Sequence, residues 1–289
     1  MEQIIVNGLY LGTQYALIAL GLTLIFSLMN VLNFAHGQMY VLGGFVTYTA
    51  VVQFQLPFLV GVFLSAAVLA VVGALIEKFL FRPVIKKSLR EESTMLLAAG
   101  IAFFLDAILL LLFGEKQRGV PKIIDGVLNW DFIIVMPYDR IAIGCLAILM
   151  IVVFILYMQY SRTGRAMRAL AQDKVAATLM GVNVDRYSMI GFALGATLAG
   201  LVGGLLVAIT GINLGMGGPA SIKAFMMIMI GGAGVISGAI AGGFILGMME
   251  SVGLTVLAEY GDITYLVIFA SLMVFLAIRP QGLMGKPWG

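Results

Sequence analysis

The sequence predicts an all-α membrane protein, a polytopic bundle of about eight transmembrane helices with broken or re-entrant segments, and three observations carry that prediction. Hydrophobic residues make up 62% of the 289 and charged residues 11%, with a mean hydropathy of +1.09, which excludes an ordinary water-soluble domain. The apolar runs are about 20 residues long, enough to cross a bilayer as helices, and they lack the period-two alternation of barrel strands. Glycine, at 36 residues, clusters inside those runs, at Gly43-Gly44, Gly203-Gly204, Gly231-Gly232 and Gly242-Gly243. Small residues there permit close helix packing and local breaks. The chain reads as one transmembrane domain over 1–289 with a polar loop at 161–186.

The first span covers 4–29; the preceding Met-Glu-Gln lacks the basic region of a cleavable signal and reads as part of that helix. Residues 30–37, N-V-L-N-F-A-H-G, interrupt it before an apolar helix resumes at 38–53. Asn33 and His36 lie between segments too apolar to leave the membrane, so this is a tight turn or a re-entrant break. It is either a satisfied structural turn or a border of the substrate path. A span at 56–81 leads into a basic loop with Arg82, Lys86, Lys87 and Arg90. The span at 93–113 returns, carrying Asp106, to a mixed-charge loop at 114–138 that reads as exterior, with Trp130 and Tyr138 as candidate interface anchors.

After a span at 141–157 comes the central loop, with Arg162, Arg165, Arg168, Lys174 and Arg186. Two crossings separate the two most basic loops, so both lie on one side, and the positive-inside rule makes it the cytoplasm. The span at 189–210 leaves that side for a glycine-rich outer turn at 211–219. A short apolar segment at 221–230 is broken by G-G-A-G-V-I-S-G, residues 231–238, before a helix at 239–257. An acidic turn at 259–262, a last span at 264–278 and a tail with Arg279 and Lys286 complete the chain. The topology closes only if 221–257 is a hairpin of two passes, one shallow. The two interrupted segments echo each other, and such paired breaks flank the binding path in transporters built from repeats. Asn33, His36, Gly231, Gly232 and Ser237 are the candidates for that path.

The loop at 161–186 has the pattern of one amphipathic helix or two in tandem: Met167, Leu170, Val175 and Leu179 recur on one face, with Arg165, Arg168 and Gln172 on the other. Thr163 is a candidate N-cap, Asp173 a cap for a second segment, and Gly181 a left-handed helix end. Val175-Ala176-Ala177, followed after three residues by Gly181, resembles the E-A-A-x-x-x-G loop of ABC-importer permeases. Small alanines let a partner surface come close. The other reading is an interfacial helix with its arginines toward anionic lipid.

Several chemistries are missing. No G-x-x-x-x-G-K-[ST] loop occurs, so any ATP is bound by another polypeptide. Ser237 lacks the preceding glycine of a G-x-S-G intramembrane protease, and Glu259-Tyr260-Gly261-Asp262 departs from G-x-G-D at its first position. An enzyme is not expected. With a single Cys145 and a single His36, neither a disulfide nor a metal site is expected, and the methionine runs read as adaptable packing. Asp106 and Glu250 sit in apolar helices, where a carboxylate faces the interior, pairs or is protonated. They serve either proton coupling or helix packing. Lys223 starts its segment near the outer face, where it could snorkel.

Four stretches together, N-F-A-H-G at 33–37, G-R-A-M-R-A at 164–169, D-K-V-A-A-T-L-M-G-V at 173–182 and I-R-P-Q-G-L at 278–283, resemble the permease subunits of bacterial branched-chain amino-acid ABC importers over nearly the whole chain. The resemblance implies an inner-membrane permease that works by alternating access. It also implies a second homologous permease, two cytoplasmic ATP-binding subunits and a periplasmic solute-binding protein, with no cofactor and no nucleic-acid partner. Arg165, Arg168, Ala176, Ala177 and Gly181 then fall at the segment that couples to the ATPase. Val175 stands where the importer motif has glutamate, and no I-x-L-P follows Gly181. Permeases for urea and short-chain amides look alike at this level. The rival from another class is a proton-coupled carrier or channel working through Asp106, Glu250 and His36. A purely structural membrane anchor is the third.

Overall fold

Glycine spacing sets the centre of the bundle. The computed structural model describes residues 2–88, 92–130, 134–256 and 261–285. Helix α1 (Glu2–Met29) carries Gly8, Gly12 and Ala16 at intervals of four, and helix α11 (Ile236–Val256) carries Gly243 and Gly247 at the same interval. The two stripes face each other, and α1 packs more extensively against α11 than any other helix pair does. A Cβ added at Gly243 would stand 2.5 Å from the amide nitrogen of Ala16 and 2.6 Å from its Cα, with no flexible side chain to yield. Gly243→Val is therefore expected to cost about 1–3 kcal/mol by overpacking. A lowered thermal midpoint in detergent checks this, with Gly100→Val, where nothing lies within 4 Å, as the unaffected control.

α2 (His36–Tyr48), which runs on through a π-helical turn at Thr49–Gln53, and α3 (Phe58–Ile76), which continues through a second such turn into α4 (Arg82–Lys87), pack mainly on α9 (Val184–Leu206). α5 (Glu92–Phe113) and α6 (Tyr138–Tyr160) follow, joined across the outer loop by a two-stranded hairpin, β1 (Val127–Trp130) and β2 (Ile134–Pro137), antiparallel with Val127 opposite Pro137. α7 (Arg162–Gln172) and α8 (Lys174–Leu179) form the polar segment. Then come α9 (Val184–Leu206), α10 (Gly217–Gly231), α11 and α12 (Gly261–Ile278). Among the described residues seven helical stretches are long and apolar enough to cross a membrane, and α12 adds a shorter apolar helix at Ile263–Ile278. α1 is largely enclosed by protein, whereas α5 turns Phe103, Phe104 and Leu111 outward. Such faces suit lipid, where apolar side chains meet no penalty.

Both predicted interruptions are real breaks. α1 ends at Asn30, whose φ of 56° places it in the left-handed region that asparagine tolerates better than most residues. Asn33 then turns the chain, its Oδ1 accepting from Ala35 N at 3.1 Å and its carbonyl from His36 N at 3.2 Å. Gly232 and Gly234, with φ of 107° and 81°, separate α10 from α11. The carbonyls of Ile230 and Gly231 accept from the amides of Leu283 at 2.8 Å and Met284 at 3.0 Å, so residues 283–284 close the end of α10.

The two ends of the bundle are distinct. At one, Lys86 pairs with Asp185 at 2.5 Å and Arg82 donates to the Asp185 carbonyl at 3.0 Å while pairing with Glu77 at 2.6 Å. The basic loops therefore meet, and the positive-inside rule makes this the inner end. At the other end the Gln3 side chain exchanges two hydrogen bonds with the backbone of Val135, and Arg118 pairs with Ile212 through both main-chain groups. The loop expected at 114–138 lies at this end and holds the strand pair. Arg90, Asp131, Glu259, Tyr260 and Lys286 lie outside the described residues.

Candidate functional site

Two places gather the polar groups of this apolar chain. The first is the inner segment. Ser161, two residues before the predicted Thr163, caps α7: its Oγ accepts from Gly164 N at 2.8 Å. Asp173 caps α8 as predicted, with Oδ1 accepting from Val175 N at 2.8 Å and Ala176 N at 3.0 Å. Gly181 ends it with a φ of 85°. The arginines face back toward the membrane helix: Arg165 Nη1 donates to the Tyr160 carbonyl at 2.9 Å, and Arg168 donates to those of Met158 and Gln159. They satisfy the open carbonyls at the end of α6 and fix the angle at which α7 leaves it. Ala177 is buried, whereas Ala176 is exposed. The outer face of α8 and its end present Val175, Leu179 and Met180, at 72%, 83% and 85% exposure, at the inner end of the molecule. Behind this segment lies a cavity of about 480 Å³ lined by Arg168 and Gln172 together with Ser27 of α1 and Ser237 at the start of α11.

The second place is a cavity of about 790 Å³ toward the outer end, between α1, α9, α10, α11 and α12. Its wall holds an ion pair. Lys223 of α10 reaches Glu250 of α11, Nζ to Oε1 at 2.8 Å and to Oε2 at 3.0 Å, with the glutamate side chain only 6% exposed. The Tyr15 hydroxyl donates to the same carboxylate and accepts from Lys223 at 2.7 Å, and the Tyr265 hydroxyl donates to Oε1 at 3.1 Å. The ammonium also stands 5.1 Å from the centre of each tyrosine ring. Four helices thus contribute to one cluster around a buried carboxylate. Lys223 does not snorkel to the surface, because α10 begins at Gly217 and carries it inside the wall; Glu250 already has a fixed cation and two phenols.

The remaining predicted residues separate. His36 is fully enclosed, its Nε2 3.1 Å from the Ile18 carbonyl of α1, and Asn33 is equally buried in the turn that starts α2. Gly37 donates to Ser221 Oγ at 2.9 Å, and that hydroxyl donates to the Phe34 carbonyl, so the starts of α2 and α10 are stitched together. Gly231 crosses Gly238 at backbone distance, while Gly232 lies against Gly285 of the tail. Asp106, half-buried on α5, lines an outer cavity of about 500 Å³ with Glu115 and Gln117, and its Oδ1 has no partner among the described residues. No cluster of metal-binding side chains occurs among the described residues.

Residues 4–276 match the family described as branched-chain amino acid transport system / permease component. The chain belongs to that family. It is 33% identical to the high-affinity branched-chain amino acid transport system permease protein LivH of Escherichia coli K12, across 97% of this chain and 94% of that one. It is also 33% identical to the corresponding protein BraD of Pseudomonas aeruginosa, across 99% and 96%. Among solved structures, PsaBC from Streptococcus pneumoniae in complex with Fab superposes with a TM-score of 0.51 at 15% identity, covering 96% of this permease and 92% of that chain, which establishes the likeness of fold. This branched-chain permease family member is a multi-pass membrane protein. Sequence reasoning missed the Lys223–Glu250 pair in it; two opposite charges in separate apolar helices were the available signal.

Proposed function

We propose that this chain is the membrane-spanning subunit of an ATP-driven importer and moves branched-chain amino acids inward by alternating access. The observation that carries the reading is the near full-length likeness to LivH and BraD, whose names state that transport. The chain acts with a second homologous permease, two ATP-binding subunits at the inner end and a solute-binding protein at the outer end. It hydrolyses nothing itself. The exposed apolar face of α8 supports an ATPase seat, since large apolar side chains left in water on a short capped helix gain most from a partner's groove. Coupling requires that the motor hold the outward and inward states with different affinity. Arg165 and Arg168 transmit that difference through their bonds to the end of α6, and Gly181 sets the exit of α8.

The experiment is reconstitution of the chain, with the subunits that co-purify, into vesicles. Uptake of radiolabelled leucine is expected to require ATP on the α8 side and a loaded binding protein on the other, and to survive collapse of the proton gradient. Uptake that follows the gradient and ignores ATP would overturn the reading.

A further inference from the structure

The outer cavity holds polar groups that the fold leaves unused. Gln14 of α1 is 1% exposed, and neither its amide nitrogen nor its oxygen has a partner among the described residues; the Tyr10 hydroxyl one turn above is in the same position. Both side chains line the cavity. A buried amide without partners is costly, and two such groups facing one space are what a site looks like before its ligand supplies the missing donors and acceptors. Beside them on the same helix Leu11 and Ile18, and across from α1 Leu206 and Ile209, give the cavity an aliphatic portion. The volume lies in the range of small-molecule pockets.

The ion pair gives the cavity its selectivity. A buried pair contributes little net stability compared with apolar residues of the same volume, yet here one ammonium and one carboxylate stand side by side at the edge of an apolar space, Lys223 being the more accessible at 21%. That is the complement of a zwitterion. We propose that this cavity is a recognition site within the permease for a single small apolar amino acid. Lys223 receives the α-carboxylate, Glu250 with the tyrosine hydroxyls receives the α-ammonium, Gln14 completes the polar shell, and the aliphatic wall takes the side chain.

The exchange is neutral in charge: one internal pair opens and two pairs to the ligand form, so no unmatched charge is buried. A carboxylic acid without the amine would leave Glu250 without a cation once Lys223 turned to it, and an amino amide would leave Lys223 without an anion; Arg140, also in the lining, is not placed on Glu250 and does not replace Lys223 there. Both are rejected by the same arithmetic. The permease then inspects what reaches it and is more than a passive duct for what an outer protein delivers. This inference rests on the importer reading given above, since it presumes that an amino acid is what passes.

The test is equilibrium binding of radiolabelled L-leucine to the full chain, purified in mild detergent with its co-purifying subunits and without the outer binding protein. Saturable binding is expected, competed by isoleucine and valine and not by a hundredfold excess of leucinamide or 4-methylpentanoate. Lys223→Met/Glu250→Leu is expected to abolish it. Gln14→Leu, at a side chain with no hydrogen-bond partner among the described residues, is expected to keep the thermal midpoint and weaken binding at least fivefold. Absence of saturable binding to the unaltered protein, equal competition by the amide or the acid, or full binding in the folded double variant would overturn the proposal. ATP-driven uptake with no binding in this cavity would leave the importer reading standing and remove only the cavity's role. Uptake without ATP dependence would strike the importer reading, whatever the cavity binds.

Discussion

Leu179→Asp is expected to abolish both co-purification of the ATPase and ATP-dependent uptake, while the membrane bundle keeps its thermal midpoint. Leu179 is 83% exposed, so in the isolated chain the substitution removes almost no contact. With a partner seated on α8 the same position carries the burial of a leucine, worth about 1.5–3 kcal/mol, and a carboxylate in its place adds the cost of an unpaired charge in a desolvated contact. Together these exceed about 3 kcal/mol, on the order of a hundredfold in occupancy. Ala176→Trp belongs with it, because Ala176 is exposed beside the same face. Ala177→Trp does not: Ala177 is 5% exposed, and a ring there would unseat α8 itself, losing coupling for a structural reason. Normal uptake in a folded Leu179→Asp protein would return α8 to the lipid headgroups.

Breaking the buried pair gives the second large effect. Lys223→Met leaves the Glu250 carboxylate with two phenols and no cation, and Glu250→Leu leaves an ammonium in the cavity wall. Each is expected to cost about 3–5 kcal/mol, the usual penalty for an orphaned buried charge. The double variant removes both charges and is expected to recover most of that stability, because apolar replacements of a buried pair are often neutral. Unfolding midpoints of the three proteins measure the coupling directly. Uptake should stay lost in all three, so stability and transport part company in the double variant. Single variants as stable as the double one would show that the two charges do not depend on each other.

The sequence made the breaks visible because their residues have local reasons to break a helix: Asn30 and Asn33 turn the chain themselves, and Gly232 and Gly234 adopt backbone angles that other residues avoid. Asp173 and Gly181 were legible for the same reason. What was not legible depended on rotation and depth. Lys223 opens its apolar stretch and so reads as an outer-face residue, but α10 starts six positions earlier, and the ion pair joins helices on opposite sides of a turn. Arg165 and Arg168 fall on a polar face that periodicity cannot assign to partner, lipid or the preceding helix. The chain turns at Ser161 between α6 and α7, which brings both within reach of the α6 carbonyls, and their bonds there hold the angle. The hairpin strands are four residues each, too short for alternation to register.

The clasp between residues 283–284 and the end of α10 has a consequence for the order of assembly. Translation delivers those residues after α11 and α12, so through most of synthesis the carbonyls of Ile230 and Gly231 lack the amides that later cover them. The inner end of the bundle is thus sealed late, by a segment some fifty residues downstream of the helix it completes. Insertion of the spans and maturation of the inner face are separate events in the life of the chain. A ribosome that stalls between them would leave a protein that is fully in the membrane and still open at its base.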